Sequence, residues 1–282
     1  MKTPTLRIVQ VLCLIGFFAG PLQTSQTQGL QTIVVYSSLQ AFDGALNVIN
    51  MPLNMFEKSV DDQYINCKPP KVLPPESSRY IPVPTNYKTT WQKAKRHWAE
   101  VGRSITDLTP MQGTAIVAYT LADNLYRDFN AATRVAGSSQ DTYNQFAFKD
   151  FFFLLTKGVQ ARKKKNKCYE VFRGVQGIRF KVSKGKQVRF GQFTSSSLSE
   201  QVARGFGQDT FFSIKTCHGV PIDDISSFKG EKEVLIPPYE KFVVKSKENV
   251  SPIRLESKGV YSRFNCERLR VVSNESIQVT DD

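Results

Sequence analysis

Histidine is almost absent from this chain. Only His97 and His218 occur in 282 residues. Neither is accompanied by a nucleophile at the spacing of a recognisable triad, so a Ser-His or Cys-His mechanism has little to build on. Both read as structural, His97 in a helix and His218 in a turn beside Cys217. No Cys-x-x-Cys pair occurs. Zinc sites draw on closely spaced cysteines and histidines, so no metal is expected. Acidic residues are also short, 25 against 38 Lys and Arg, for a formal charge of +13. That imbalance favours acidic partners such as anionic surfaces. The densest basic run, Ala161 to Lys167, reads as a solvated loop. No aromatics interleave with it, so specific nucleic-acid binding is not expected.

Long apolar runs are missing too. The N-terminus has Lys2 and Arg7 before an apolar stretch from Ile8 to Ala19, broken only by Gln10. It is too short for a membrane span and has the layout of a signal peptide over residues 1–20, with cleavage between 19 and 29. No apolar stretch follows near the C-terminus, where 273–282 reads as a short polar tail, so no lipid-anchor signal is expected. The expected localisation is secreted, or a secretory granule. Four cysteines remain after residue 20: Cys67, Cys168, Cys217 and Cys266. An even number in an exported protein points to two disulfides, with three pairings open. Asn249 and Asn274 stand in glycosylation sequons.

What is present divides by texture. Residues 60–88 are rich in Pro, Lys and Ser and read as irregular. Helices are expected over 89–159. Thr90 is placed to cap a helix carrying Trp91, Ala94 and Trp98. After Pro110, Ala115, Tyr119, Ala122, Leu125 and Phe129 fall on one helical face. A third helix is expected over 140–157. Beyond Cys168, short runs rich in Val, Phe and Ile predict strands at 169–172, 187–190, 210–216, 234–236, 242–245 and 267–272. Helices first and strands second make an α+β fold: a helical N-terminal half followed by a strand-rich core. With no repeat and no linker, residues 30–272 read as a single domain.

Three pieces in the strand-rich half carry chemistry. Arg173-Gly174 closes a predicted strand and leaves a guanidinium beside accessible backbone. Phe190 to Leu198 contains Gln192 and the hydroxyl run Thr194-Ser195-Ser196-Ser197, where serines would by default cap a helix. Glu231-Lys232-Glu233 precedes Val234-Leu235-Ile236-Pro237-Pro238. In an extended segment residues i and i+2 share a side, so both glutamates can enter one site while Lys232 points to solvent. Alone, a Glu-x-Glu pair is most often a solvated loop tip.

In this order, Arg, then F-T-S-x-S, then E-x-E before V-L-I-P-P, the chain resembles the vertebrate arginine-specific ecto-mono-ADP-ribosyltransferases. Thr114 to Thr120, Phe206 to Phe212 and Pro237 to Phe242 extend the likeness over most of residues 30–272. The resemblance implies an ADP-ribosyltransferase core using NAD as co-substrate to modify arginine in target proteins. It implies that Arg173 clamps the NAD phosphates and that Gly174 offers backbone to the nicotinamide amide. It further implies that Ser195 holds the nicotinamide end and orients Glu233. Glu233 is then the catalytic carboxylate and Glu231 the acid that recognises arginine. Tyr119, Gln192 and Ser226 match positions that contact NAD. Cys67 would pair with Cys266, and Cys168 with Cys217. The chemistry suits these residue types. Cleaving the nicotinamide–ribose bond builds positive charge on the ribose, which a fixed carboxylate stabilises. Two other functions are compatible with the same residues: NAD glycohydrolysis, and a basic secreted binding protein with little activity on the same scaffold.

Overall fold

The computed structural model describes residues 48–67 and 80–267. The expected signal segment, the polar tail and the Asn274 sequon lie outside them. The strand expected over 267–272 falls at and beyond their end.

A short strand, β1 (Ile49–Pro52), precedes the helices. These are α1 (Lys88–Val101), α2 (Pro110–Thr120), α3 (Asn124–Val135), α4 (Gln140–Asn144) and α5 (Lys149–Arg162). The strand-rich half holds β2 (Tyr169–Val175), β3 (Ile178–Lys181), β4 (Gln187–Val188) and β5 (Thr194–Ser197), then α6 (Glu200–Arg204). It continues with β6 (Thr210–Thr216), β7 (Val220–Pro221), β8 (Glu233–Ile236), β9 (Glu240–Val244) and β10 (Ile253–Val260). This is the α+β order expected, with β1 added in front.

Local sequence explains the helix ends, and two expectations need correction there. Thr109 and Gln112 form a reciprocal capping box with Pro110 at the first turn of α2, which satisfies otherwise orphaned amides. The continuous helical face expected after Pro110 is two helices. Leu121 turns extended, and Asp123 accepts the Asn124 amide to start α3. Thr90 does not cap α1, which begins at Lys88; its hydroxyl donates to Asp123 Oδ2 at 2.6 Å. That bond ties α1 to the break between α2 and α3. The third helix also divides, into α4 and α5, with Ser139 capping the first.

Eight strands form one sheet in the order β4-β9-β10-β6-β2-β5-β8-β7. Its pairs are antiparallel except β10 with β6. β1 and β3 make a separate parallel pair. β6 alternates as its sequence predicts: Phe212, Ile214 and Thr216 are buried while Lys215 is exposed. Phe211 departs from the alternation, buried against Phe172 and beneath the Arg204 guanidinium. Two apolar clusters result. One joins the helices, including Trp91, Phe129 and Phe151, to Phe193 and Leu235. The other packs Val171, Phe212, Val234 and Phe242.

The chain ends of the described region are clasped. Arg189 is fully buried and pairs with the equally buried Asp61 at 2.5 Å. Its Nε donates to the Met55 carbonyl, and its guanidinium lies over the Tyr261 ring. Asp61 and Asp62 in turn accept backbone amides from Arg263, Phe264 and Cys266. The disulfide Cys67–Cys266 lies beside this clasp, and Cys168–Cys217 joins β2 to the turn after β6. Both pairings are those implied by the resemblance.

Candidate active site

β2, β5 and β8 lie side by side, and all three line a common cleft. The cleft encloses about 820 Å³ including its open mouth and is walled by Tyr119, Tyr126, Arg173, Ser195, Glu231 and Glu233 among others.

Arg173 is the fifth residue of β2, not its end; the strand runs on to Val175 and pairs fully with β6. Its Nη1 donates to the Ser195 carbonyl at 2.5 Å. The guanidinium therefore bridges β2 to β5 where the single ladder pair, Phe172 with Ser197, leaves the two strands otherwise open. Gly174 is required by space. A Cβ there would sit 2.3 Å from the carbonyl oxygens of Ala203 and Gly207. Without a side chain, α6 and the loop after it close directly onto β2, and Gly174 joins the cleft wall.

The hydroxyl run is a strand rather than a capping segment. β5 pairs with β8, Ser195 opposite Leu235 and Ser197 opposite Glu233. The residue that caps the following helix is Ser199, whose Oγ accepts the Val202 amide. Ser196 Oγ donates to the Val234 carbonyl and Ser197 Oγ to the Glu231 carbonyl, at 2.8 and 2.6 Å. These two hydroxyls fasten β5 to the acidic segment. Ser195 instead turns its hydroxyl to the Glu233 carboxylate.

Glu233 is 6% exposed. Ser226 Oγ donates to its Oε2 at 3.0 Å. Burial, and to a lesser degree the Asp223 charge, pushes its carboxyl up, while the Ser195 and Ser226 hydroxyls and the Arg173 charge pull it back toward ionisation. Glu231 is half-buried, and its carboxyl is pushed up to about 7, first by burial and then by the charges of Glu233 and Asp223. Among the described residues its carboxylate has no hydrogen-bonded side-chain partner. It is poised for a cationic guest.

The glutamates share the cleft for a different reason than strand alternation. Lys232 is exposed, as expected, but has φ 50°, a left-handed conformation. β8 begins only at Glu233. The segment 230–232 is a turn, and the turn directs Glu231 inward.

Other predicted contacts divide. Tyr119 lines the cleft, fully buried, with its hydroxyl donating to the Phe193 carbonyl at 2.8 Å and accepting from Asn130. Gln192 does not line it. Gln192 faces a smaller pocket of about 380 Å³ on the other side of Arg173, and its Oε1 accepts from Arg134. Ser226 lies behind Glu233 and touches the cleft only through that carboxylate. Tyr126, Phe228 and Asp223 were not singled out in the sequence. Tyr126 stands edge-on to Tyr119 with ring centres 4.9 Å apart, and its place on the helical face beside Leu125 was the available signal. Asn249 is exposed with a left-handed φ of 58°, its Oδ1 accepting from Lys181. His97 lies in α1, and His218 contacts Lys163 in the turn after β6. Among the described residues no group of three or more His, Cys, Asp or Glu is placed to hold a metal. No helix among them is long and apolar enough to cross a membrane.

The chain is 43% identical to NAD(P)(+)–arginine ADP-ribosyltransferase 2 of Gallus gallus over 251 residues, 86% of this chain and 80% of that protein. It is 36% identical to the human GPI-linked NAD(P)(+)–arginine ADP-ribosyltransferase 1, covering 77% of this chain and 74% of that one. The crystal structure of the eucaryotic mono-ADP-ribosyltransferase ART2.2 superposes with a TM-score of 0.63 at 32% identity, covering 77% of this chain and 98% of the other. A variant of that enzyme, solved in complex with NAD, gives the same score. The family model described as NAD:arginine ADP-ribosyltransferase matches residues 53–263. The chain belongs to the NAD:arginine ADP-ribosyltransferase family.

Proposed function

We propose that this protein transfers ADP-ribose from NAD to arginine side chains of target proteins and releases nicotinamide. The observation that carries this reading is the meeting of two carboxylates of unlike environment, Glu231 and Glu233, with Arg173 and Ser195 in one cleft. Paired acids in different surroundings take different roles.

Arg173, half-buried at the cleft wall, supplies a fixed positive charge for the diphosphate. The Gly174 backbone borders the cleft and is the part of the wall assigned to the nicotinamide amide. Ser195 and Ser226 hold the Glu233 carboxylate in one orientation. Glu233 then stabilises the positive charge that develops on the ribose as nicotinamide departs, neutral, with the bonding electron pair. Glu231 holds the incoming guanidinium. An arginine nitrogen forms the new bond to the ribose carbon, and Glu231 accepts the proton that this nitrogen loses. Tyr119 holds the residue before β5 through the Phe193 carbonyl, and Gln192 is bonded to Arg134. Hydrolysis of NAD would use the same ribose-side residues with water as nucleophile and would not need Glu231. We assign the acceptors to proteins outside the cytosol, since two disulfides persist in oxidising compartments.

The test is incubation of the purified protein with labelled NAD and agmatine, following ADP-ribosyl-agmatine and free ADP-ribose together. Dominant agmatine product supports transfer to arginine. Free ADP-ribose alone would replace it with glycohydrolysis, and neither product would remove the enzymatic reading.

A further inference from the structure

Glu231 belongs to a turn that a third acid holds in shape. Asp223 lies in the segment between β7 and β8, eleven residues of chain that also carry Ser226 and Phe228. Its Oδ1 accepts the Gly230 amide at 3.2 Å and the Lys232 amide at 2.8 Å. One carboxylate oxygen thus bonds the amides on either side of Glu231. On the opposite face, Ser197 Oγ donates to the Glu231 carbonyl and the Leu198 amide to the Lys232 carbonyl, at 2.6 and 3.0 Å. The backbone of Glu231 is gripped from both sides while its own carboxylate stays unengaged.

The grip offsets a conformational cost. Lys232 adopts φ 50° and Gly230 φ 91°. A left-handed conformation is disfavoured at a non-glycine residue because its Cβ crowds the backbone. The two amide hydrogen bonds to the Asp223 side chain offset that crowding. Relaxing Lys232 toward extended backbone would return Glu231 and Glu233 to simple strand alternation and change the direction in which Glu231 presents its oxygens. Glu233 would be affected less. It lies in β8, paired with Ser197 and bonded through its carbonyl to the Ile222 amide.

We infer that Asp223 is a positioning residue for the acceptor arginine: it fixes the turn that aims Glu231 at the guanidinium, and it takes no part in binding NAD. This rests on the arginine-transfer reading above. It assigns acceptor recognition to a residue outside the Glu-x-Glu pair, working through two backbone amides.

The test compares Asp223→Ala and Asp223→Asn with the unaltered protein, measuring KM for agmatine, KM for NAD and the rate of NAD hydrolysis. Asparagine keeps the Oδ1 acceptor and removes the charge. Asp223→Ala is expected to raise the agmatine KM about tenfold, the scale of a misdirected contact. The NAD KM should stay within about twofold, and Asp223→Asn should recover most of the agmatine affinity, because the acceptor is what the amides need. A general loss of structure would instead move all three quantities together and lower the thermal midpoint. The inference is overturned if the agmatine KM of Asp223→Ala is unchanged, if both KM values rise alike, or if Asp223→Asn is as impaired as Asp223→Ala. Failure of the underlying reading is separately visible, as absence of agmatine product from the unaltered protein.

Discussion

Ser226 donates its hydroxyl to Oε2 of Glu233 at 3.0 Å from a position with no exposure to solvent. The Ser226 Oγ itself accepts the Phe228 amide. Ser226 is thereby locked between the loop that walls the cleft and the carboxylate at its centre. Ser226→Ala removes one of the donors that keep a buried carboxylate ionised. A hydrogen bond to a charged group contributes about 1.5–3 kcal/mol. Transfer and hydrolysis should therefore fall together, roughly 10- to 100-fold in kcat, when both products are timed at saturating NAD. A fall in transfer alone would contradict this placement.

Glu231 gives a pH signature. Its carboxyl is raised to about 7, so it is largely protonated below that pH and ionised above it. Only the ionised form holds a guanidinium. The kcat/KM for agmatine should climb as pH rises through about 7 and then level. NAD hydrolysis, which needs Glu233 alone of the two, should lack that limb. Glu231→Gln should remove the limb and cut transfer at least tenfold while hydrolysis persists. Equal losses in both reactions would count against the division of labour.

The space around Gly174 sets a steric prediction. An alanine Cβ would meet two backbone oxygens at 2.3 Å, neither at the end of a flexible side chain. β2 and α6 must separate to admit it. Gly174→Ala should lose roughly 1–3 kcal/mol of stability in urea unfolding and raise the KM for NAD, because the cleft wall moves with the strand. Unchanged stability and KM would show that the approach of α6 is looser than described.

Arg189 makes a stability prediction remote from the chemistry. Arg189→Leu leaves Asp61 buried without its cation, and breaking a buried pair by removing one partner costs about 3–5 kcal/mol. The urea midpoint should drop while the slope is kept. A change below about 1 kcal/mol would mean that the backbone amides of Arg263 and Phe264 suffice for Asp61.

The order of helices before strands was legible in the sequence, and several element boundaries were not. Arg173 and Glu233 were singled out beside expected strands that correspond to β2 and β8, and β5 with Ser195 lies between those two in the sheet. Residues 210–216 were legible as β6 because apolar and polar residues alternate there. β5 was not, since Thr194 to Ser197 has the composition of a capping loop; it is a strand because β2 and β8 pair with it from either side, a tertiary effect that propensity does not register. The break between α2 and α3 was hidden for a related reason. The apolar period continues through Ala122 and Leu125 while the backbone turns at Leu121, and Thr90 from α1 satisfies the Asp123 carboxylate there. Asp223 was invisible because its effect is on the amides of residues seven and nine positions away.

The most direct measurement uses Glu233→Gln. The variant keeps the volume of the side chain and its bonds to the neighbouring strands, and loses the charge. NAD binding by calorimetry should remain within about tenfold of the unaltered protein, while ADP-ribosyl-agmatine and free ADP-ribose both fall by about a thousandfold or more, the scale of a lost transition-state charge contact. Substantial agmatine product from a folded, NAD-binding Glu233→Gln protein would contradict the account at its centre.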